Sequence, residues 1–199
     1  LWRITIDTNP EDCNLKCIMC EEHSPYSDFI QNLYKTTGVK RRRMNTQTVE
    51  NIFIQAKALG IKEIIPSTMG EPLLFKGIER IFELSRVHNI KINLTTNGTF
   101  PGKSATEWAQ IIIPTTTDIK VSWNGATAET AEKIMTGIDF HRSIENVKAL
   151  IEFRDKHYNK TGYYCRITFQ LTFMQNNMHE LADIIKLAAD LGVDRVKGH

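Results

Sequence analysis

The stretch Cys13-Asn14-Leu15-Lys16-Cys17-Ile18-Met19-Cys20 places three cysteines within eight residues, and the remaining cysteine of the chain, Cys165, is far away in sequence. Three thiolates can hold three irons of a four-iron cluster, because such clusters are bound through cysteine sulfur. The fourth iron would then have no protein ligand. An open coordination position is where a substrate or cofactor can bind, so this spacing indicates a reactive metal centre.

Two other uses of these cysteines have to be considered. A structural zinc site normally has four protein ligands, and His23 lies three residues after Cys20, so the residues also allow a Cys₃His zinc site. Disulfides would pair an even number, and four cysteines allow three pairings. The tight spacing of three cysteines suits a cluster better than bridges, and the zinc alternative stays open.

Composition excludes some classes of protein. The 199 residues are 41% hydrophobic and 24% charged, which is ordinary for one globular domain with a sizeable core. A net charge of +2 gives no reason to expect nucleic acid as a partner, and no window approaches the ~20 apolar residues of a membrane span. The first residues are not a signal peptide. We expect a cytoplasmic location, because thiolates and an oxygen-sensitive cluster need a reduced compartment.

The hydrophobic pattern alternates between periods of two and of 3.6 residues along the chain. Strands are predicted at residues 3–7, 62–65, 90–94, 119–123, 167–173 and 193–196. Helices are predicted at residues 46–59, 77–88, 104–112, 143–157 and 179–191. Such alternation predicts an α/β fold, a partial (β/α)6 TIM-like barrel of parallel strands that is truncated after the sixth strand. We expect one domain over residues 1–199 and no second domain within this sequence.

Residues 21–44 interrupt this alternation. They contain Pro25, Gly38 and the run Lys40-Arg41-Arg42-Arg43, and they are predicted to form a loop insertion with a short helix around residues 29–34. A basic run is usually a solvated loop. Its functional interpretation is a surface that meets an acidic substrate or a peptide.

The predicted strands alternate apolar and polar residues, although strands buried on both faces of a parallel sheet are usually apolar throughout. A closed barrel fills its interior with branched apolar side chains, so a polar interior indicates a partly open barrel that holds a polar ligand and water. The residues predicted to line the interior are Arg3, Thr5, Asp7, Lys91, Asn93, Thr95, Asn97, Lys120, Ser122, Asn124, Arg166, Thr168, Gln170 and Thr172.

The CxxxCxxC spacing directly after a strand resembles the radical S-adenosylmethionine (radical SAM) superfamily, in which the methionine moiety of SAM chelates the open iron. The loop after the second strand, Ser67-Thr68-Met69-Gly70-Glu71-Pro72, resembles the GGEP motif of that family. Met69 stands where the first glycine usually is. The resemblance implies that Cys13, Cys17 and Cys20 bind a 4Fe-4S cluster. It also implies that Gly70 and Glu71 hold the amino group of SAM.

Further loops carry the same resemblance. Thr95-Thr96-Asn97-Gly98 looks like the segment that borders SAM near its methionyl end, which makes Asn97 a cofactor-binding candidate. Val121-Ser122-Trp123-Asn124-Gly125-Ala126-Thr127 looks like the VSLDGAT segment of members with C-terminal SPASM or twitch extensions. Ser122 is thereby implied in SAM binding. Asn124 replaces the usual aspartate and is a candidate for substrate binding.

Three more positions follow from the resemblance. Gln170 on the fifth strand is similar to a polar residue that supports SAM. Met19 occupies a position where an aromatic side chain is common beside adenine, and its polarizable thioether can pack in the same way. Cys165 is expected to be structural. No catalytic residue is assigned from the sequence.

The resemblance implies an enzyme that reductively cleaves SAM at the cluster and abstracts hydrogen from a substrate. The leading prediction is a maturase acting on a peptide or protein side chain, of the kind that modifies ribosomally made peptides. The alternatives are a radical SAM enzyme of small-molecule or cofactor biosynthesis, or a non-enzymatic iron–sulfur or zinc protein. An external electron donor such as flavodoxin or ferredoxin is expected as a partner.

Overall fold

A computed structural model describes residues 1–39 and 42–199 and shows six parallel strands in one sheet. The strands follow the order of the chain across the sheet, and every neighbouring pair is parallel. They are β1 (Arg3–Thr5), β2 (Glu63–Ile65), β3 (Lys91–Thr96), β4 (Thr116–Ser122), β5 (Arg166–Leu171) and β6 (Arg195–Gly198). The predicted α/β fold with a partial, barrel-like parallel sheet is confirmed.

Helices connect the strands. They are α1 (Phe29–Thr37), α2 (Thr46–Ala58), α3 (Ile78–His88), α4 (Ala105–Ile112), α5 (Ala128–Ile134), α6 (Phe140–Thr161) and α7 (Leu181–Leu191). Helix α1 lies in the 21–44 insertion, where a short helix was predicted. Helix α5 was not predicted. None of the helices in the described ranges is both long enough and apolar enough to cross a bilayer.

The predicted basic run falls partly in the gap between these ranges. Lys40 and Arg41 lie outside the described residues. Arg42 and Arg43 are described, and both are paired with acidic side chains of the same chain. These two arginines lie in a loop and are about one-third exposed, so their ion pairs add to the prediction of a solvated loop and do not contradict it.

The apolar face of the sheet packs against the helices. Ile64, Ile92, Ile119 and Ile167, one from each of four adjacent strands, are completely buried in one hydrophobic core. Because side chains in a strand alternate between faces, this register sends the intervening residues to the opposite face.

That opposite face is polar, as predicted. The Asp118 carboxylate is 1% exposed and accepts hydrogen bonds from Arg166 at 2.9 Å, from Arg195 at 2.7 Å and from Thr168 at 2.8 Å. A second buried carboxylate, Glu63, pairs with Arg3 of β1. Neither Asp118 nor Glu63 was in the predicted interior set.

Candidate cofactor site at the carboxyl ends of the strands

The three clustered cysteines open onto a cavity of about 350 Å³ at the carboxyl ends of the strands. Its lining consists of Cys13, Cys17, Met19, Cys20, Glu21, His23, Thr68, Met69, Gly70, Thr95, Thr96, Asn97, Ser122, Met135, Gln170 and Thr172. Eight of the ten predicted site residues are in this set. The two exceptions are Glu71 and Asn124. Met135, at the end of the unpredicted helix α5, was missed.

A larger cavity of about 610 Å³ lies outside this site. Its lining includes Lys103, Arg142 and Asn146, and it takes only Asn14 from the cysteine loop. We place the candidate site in the smaller cavity, because that cavity gathers all three clustered sulfur ligands with the polar ends of β3, β4 and β5.

The cysteine loop is fixed by the end of α5 and the residues that follow it. The backbone N–H groups of Lys16 and Ile18 donate to the carbonyl oxygens of Thr136 and Ile134, each at 2.9 Å. Leu15, directly before Lys16, is 2% exposed and packs with Ile134 in a small apolar cluster. A loop held by backbone bonds and a buried leucine has little freedom, so the cysteines keep a fixed arrangement.

The sulfur atoms lie near one another and near N–H donors. The backbone N–H of Leu15 lies 3.5 Å from Cys13 Sγ, and that of His23 lies 3.3 Å from Cys20 Sγ. Burial, together with the nearby Cys13 and Cys20, raises the pKa of the Cys17 thiol to about 12. Buried thiolates that lie close together repel each other, and a bound metal cation supplies the compensating charge. The arrangement fits an iron–sulfur cluster bound by three cysteines.

The zinc alternative fits less well. His23, the proposed fourth ligand, has Nε2 hydrogen-bonded to the Pro10 carbonyl oxygen at 2.9 Å. A single Zn²⁺ requires its ligands to converge at 2.0–2.3 Å from one point. Within residues 1–39 and 42–199, no three His, Cys, Asp or Glu side chains are gathered closely enough to hold one metal ion. A cluster binds each cysteine at a different iron and needs no such convergence.

Gly70 brings the loop after β2 against the segment that leads into Cys13. Its φ is +72°, and a Cβ atom there would lie 2.7–2.8 Å from the carbonyl oxygens of Asn9, Pro10 and Asp12. Only glycine accepts both that backbone conformation and that approach. The adjacent Glu71 N–H donates to the Asp12 carbonyl at 2.7 Å.

The Glu71 side chain is completely buried and does not line the cavity. Its carboxylate accepts from the Asn97 backbone N–H at 2.7 Å, from the Thr96 hydroxyl at 2.8 Å and from the Leu73 N–H at 3.1 Å. Burial raises the pKa of this carboxyl to about 7, against the opposing effect of the three donors. Glu71 therefore joins the loop after β2 to the end of β3.

Asn97 connects that same strand end to the cysteine loop. Its Nδ2 donates to Asn14 Oδ1 at 2.9 Å and lies 3.9 Å from Cys13 Sγ, while its Oδ1 accepts from the Thr99 N–H at 3.0 Å. The side chain is thus oriented by two neighbours and faces the cluster ligand.

Asn124 lies outside the cavity. Its side chain is 2% exposed, and Oδ1 accepts from the Thr172 N–H at 2.8 Å, while its carbonyl accepts from Asn177 Nδ2 at 3.3 Å. These bonds fasten the loop after β4 to the loop after β5. Its predicted role in substrate binding stays a prediction.

Residues 10–188 match the radical SAM superfamily. The chain belongs to this family. The match covers the cysteine loop, the loops after β2, β3 and β4, and strand β5. A 4Fe-4S cluster and S-adenosylmethionine are the cofactors that the family implies, and the three-cysteine arrangement fits the first of them.

Solved structures and curated proteins give further matches. SuiB of Streptococcus suis superposes with a TM-score of 0.69 at 17% identity, over 99% of this chain and 39% of that one. A GTPase Obg of Brachyspira hyodysenteriae is 26% identical over 96% of this chain and 27% of its own length. A probable GTP 3',8-cyclase of Pyrococcus abyssi is 32% identical over 45% of this chain and 25% of its own. The chain thus spans about a quarter of the curated relatives it matches.

Proposed function

We propose that Cys13, Cys17 and Cys20 bind a 4Fe-4S cluster and that the adjoining cavity binds SAM. The observation that carries this proposal is the meeting of three half-buried cysteines with five other predicted site residues in one cavity of about 350 Å³. When bound, these cofactors supply a 5′-deoxyadenosyl radical that abstracts hydrogen from a substrate.

The protein groups bind and orient SAM in this proposal. The backbone of Gly70 meets the amino group, and Glu71 acts behind it by holding the ends of two loops in place. Ser122 and Gln170 lie opposite each other in the register of β4 and β5 and offer hydrogen bonds from one side of the cavity. Met19 packs beside the adenine with its polarizable sulfur.

We further propose that the substrate is a peptide or protein side chain. Two observations support it: the VSWNGAT segment resembles that of peptide-modifying members, and one of the similar structures is SuiB bound to its precursor peptide SuiA. The two sequences are 19% identical, so the likeness concerns the fold. The alternative is a small-molecule substrate, because methylornithine synthase and a TsrM complex with tryptophan have similar folds.

The proposal includes an external reductant, such as flavodoxin or ferredoxin, because a cluster of this kind needs an electron for each cleavage of SAM. A reduced compartment such as the cytoplasm suits the three partly exposed cysteines of the motif. A SPASM or twitch extension beyond this domain belongs to the same proposal.

Anaerobic reconstitution tests the cofactor assignment. We expect four irons per chain, no stoichiometric zinc, and 5′-deoxyadenosine after addition of dithionite and SAM. Cys17→Ala is expected to lose both the iron and the product. One zinc per chain, with no product, would support the non-enzymatic alternative.

Deuterium transfer tests the substrate class. Cells of the organism that naturally makes this protein are grown in deuterated medium, and their extract is separated by size into a peptide fraction and a small-molecule fraction. Each fraction is then incubated with the reconstituted enzyme and unlabelled SAM. We expect deuterium in 5′-deoxyadenosine with the peptide fraction. Deuterium in 5′-deoxyadenosine with the small-molecule fraction alone would overturn the peptide proposal and leave the cofactor assignment intact.

A further inference from the structure

Both ends of the cysteine motif are bound by one arginine of the 21–44 insertion. Arg42 Nε donates to Glu11 Oε1 at 2.8 Å, and its NH2 group donates to Glu22 Oε1 at 2.7 Å. Glu11 lies two residues before Cys13, and Glu22 lies two residues after Cys20. The guanidinium therefore bridges the chain on either side of the three cysteines.

Neighbouring bonds hold this arginine against the loop. Arg43 Nε donates to Asp12 Oδ2 at 3.0 Å, and the Met44 N–H donates to the Thr8 carbonyl at 2.8 Å. The returning segment is thus attached to the residues between β1 and Cys13 by backbone and side-chain bonds. A contact made at several adjacent points fixes the position of Arg42.

The acidic partners are removed from solvent. The side chains of Glu11 and Glu22 are 9% and 4% exposed, while that of Arg42 is 35% exposed. A buried carboxylate that loses its cationic partner is strongly disfavoured. Arginine suits this position because its planar fork reaches two carboxylates at once, which a lysine ammonium does less well.

Charge adds a second consequence. Three thiolates and a four-iron cluster have a net negative charge that grows on reduction, and the two glutamates flank that charge. The net charge around a cluster is one of the properties that set its reduction potential. A cation at this point favours the reduced state.

We propose that Arg42 is a positioning residue that clamps the two ends of the cysteine motif. In this proposal it slows the loss of the bound cluster from the protein and makes the cluster easier to reduce. The proposal rests on the assignment of the three cysteines as cluster ligands. It assigns a function to the basic run that differs from contact with an acidic substrate.

Arg80 is a matched control elsewhere on the surface. It also bridges two glutamates, Glu50 of α2 at 2.8 Å and Glu83 of α3 at 3.0 Å, and neither glutamate flanks a cysteine. Arg42→Gln and Arg80→Gln each remove one positive charge from a two-carboxylate bridge. Only the first does so at the cysteine motif.

The test compares these variants in the reconstituted full-length protein. Iron release to a chelator is expected to be roughly five- to thirtyfold faster in Arg42→Gln, the factor that corresponds to one or two kcal/mol. An EPR-monitored redox titration is expected to show a more negative midpoint potential. Arg80→Gln is expected to match wild type in both measurements.

Arg42→Lys separates the two effects, because it keeps the charge and loses the fork. We expect a potential close to wild type with faster iron release. If Arg42→Gln and Arg80→Gln behave alike in iron release, or if Arg42→Gln leaves the midpoint potential at the wild-type value, the clamp is refuted. A wild-type protein that binds no cluster would overturn the ligand assignment as well.

Discussion

Gly70 and Gly60 share one backbone conformation and have very different surroundings. The φ angle is +72° at both. At Gly70 an added Cβ would lie 2.7 Å from the Asn9 carbonyl oxygen and 2.8 Å from those of Pro10 and Asp12, whereas at Gly60 it would meet nothing within 4 Å. Alanine at these two positions therefore separates the cost of the conformation from the cost of the close approach.

The expected magnitudes follow from these two contributions. A left-handed conformation costs a residue with a side chain roughly 1–2 kcal/mol, and this applies to both glycines. The oxygens around Gly70 belong to the backbone and cannot rotate away, so overpacking adds about 1–3 kcal/mol. We expect the free energy of unfolding to fall by about 1–2 kcal/mol in Gly60→Ala and by about 2–5 kcal/mol in Gly70→Ala.

Urea denaturation of the metal-free variants measures this difference, and the iron content after reconstitution adds a second result. The residues that the added methyl group would crowd lead directly into Cys13, so Gly70→Ala is also expected to lower the number of irons per chain, while Gly60→Ala leaves it unchanged. Unfolding free energies of the two variants within about 0.5 kcal/mol of each other would refute the close approach.

Replacement of any one of the three motif cysteines by alanine is expected to abolish cluster reconstitution, whereas Cys165→Ala is expected to leave it intact. Iron analysis of the reconstituted variants measures this difference. Loss of iron in Cys165→Ala with iron retained in the motif variants would refute the ligand assignment. The Glu71 carboxylate accepts from Thr96 and Leu73 through one oxygen and from Asn97 through the other. Glu71→Gln replaces one of these acceptors with an N–H₂ group that faces a backbone N–H donor, so we expect a loss of about 1–3 kcal/mol in the free energy of unfolding. The same variant is expected to keep its cluster and to bind SAM roughly ten- to a hundredfold more weakly by titration; unchanged affinity would mean that the loop is only a turn. Asn124→Ala is expected to lower the unfolding free energy by about 1 kcal/mol; unchanged stability with lost turnover would favour the predicted contact with substrate.

The fold could be predicted because its signals are local. Alternating apolar residues and amphipathic helices repeat along the chain, and parallel pairing follows from the helical connections. Helix α5 was missed because its seven residues bury only Ala131 and Ile134. Its first turn depends on Glu180, whose carboxylate accepts from the hydroxyls of Thr127 at 2.8 Å and Thr130 at 2.6 Å. A stabilising residue about fifty positions away leaves no periodic signal in the helix itself.

Site residues could be predicted where the residue type itself indicates metal binding, as for the cysteines. Residues that hold other site residues in place were predicted less well. Cysteine spacing identifies candidate ligands without a structure. The sequence does not show that the Glu71 carboxylate is turned toward the end of β3, because the donors at Thr96 and Asn97 become neighbours only in the folded sheet. Arg42 was interpreted as part of a solvated run for the same reason, since its two glutamates are 31 and 20 residues away.

The geometry of the cysteine motif therefore depends on parts of the chain outside it. Glu71 N–H holds Asp12 from the side of β2, Thr136 and Ile134 hold the middle of the loop from the side of α5, and Arg42 closes its two ends. Each contact comes from a different connection of the sheet. The eight-residue motif supplies the sulfur ligands, and the surrounding fold determines where those ligands stand relative to Ser122 and Gln170. Substitutions at these distant supports should alter cluster retention while every cysteine remains in place.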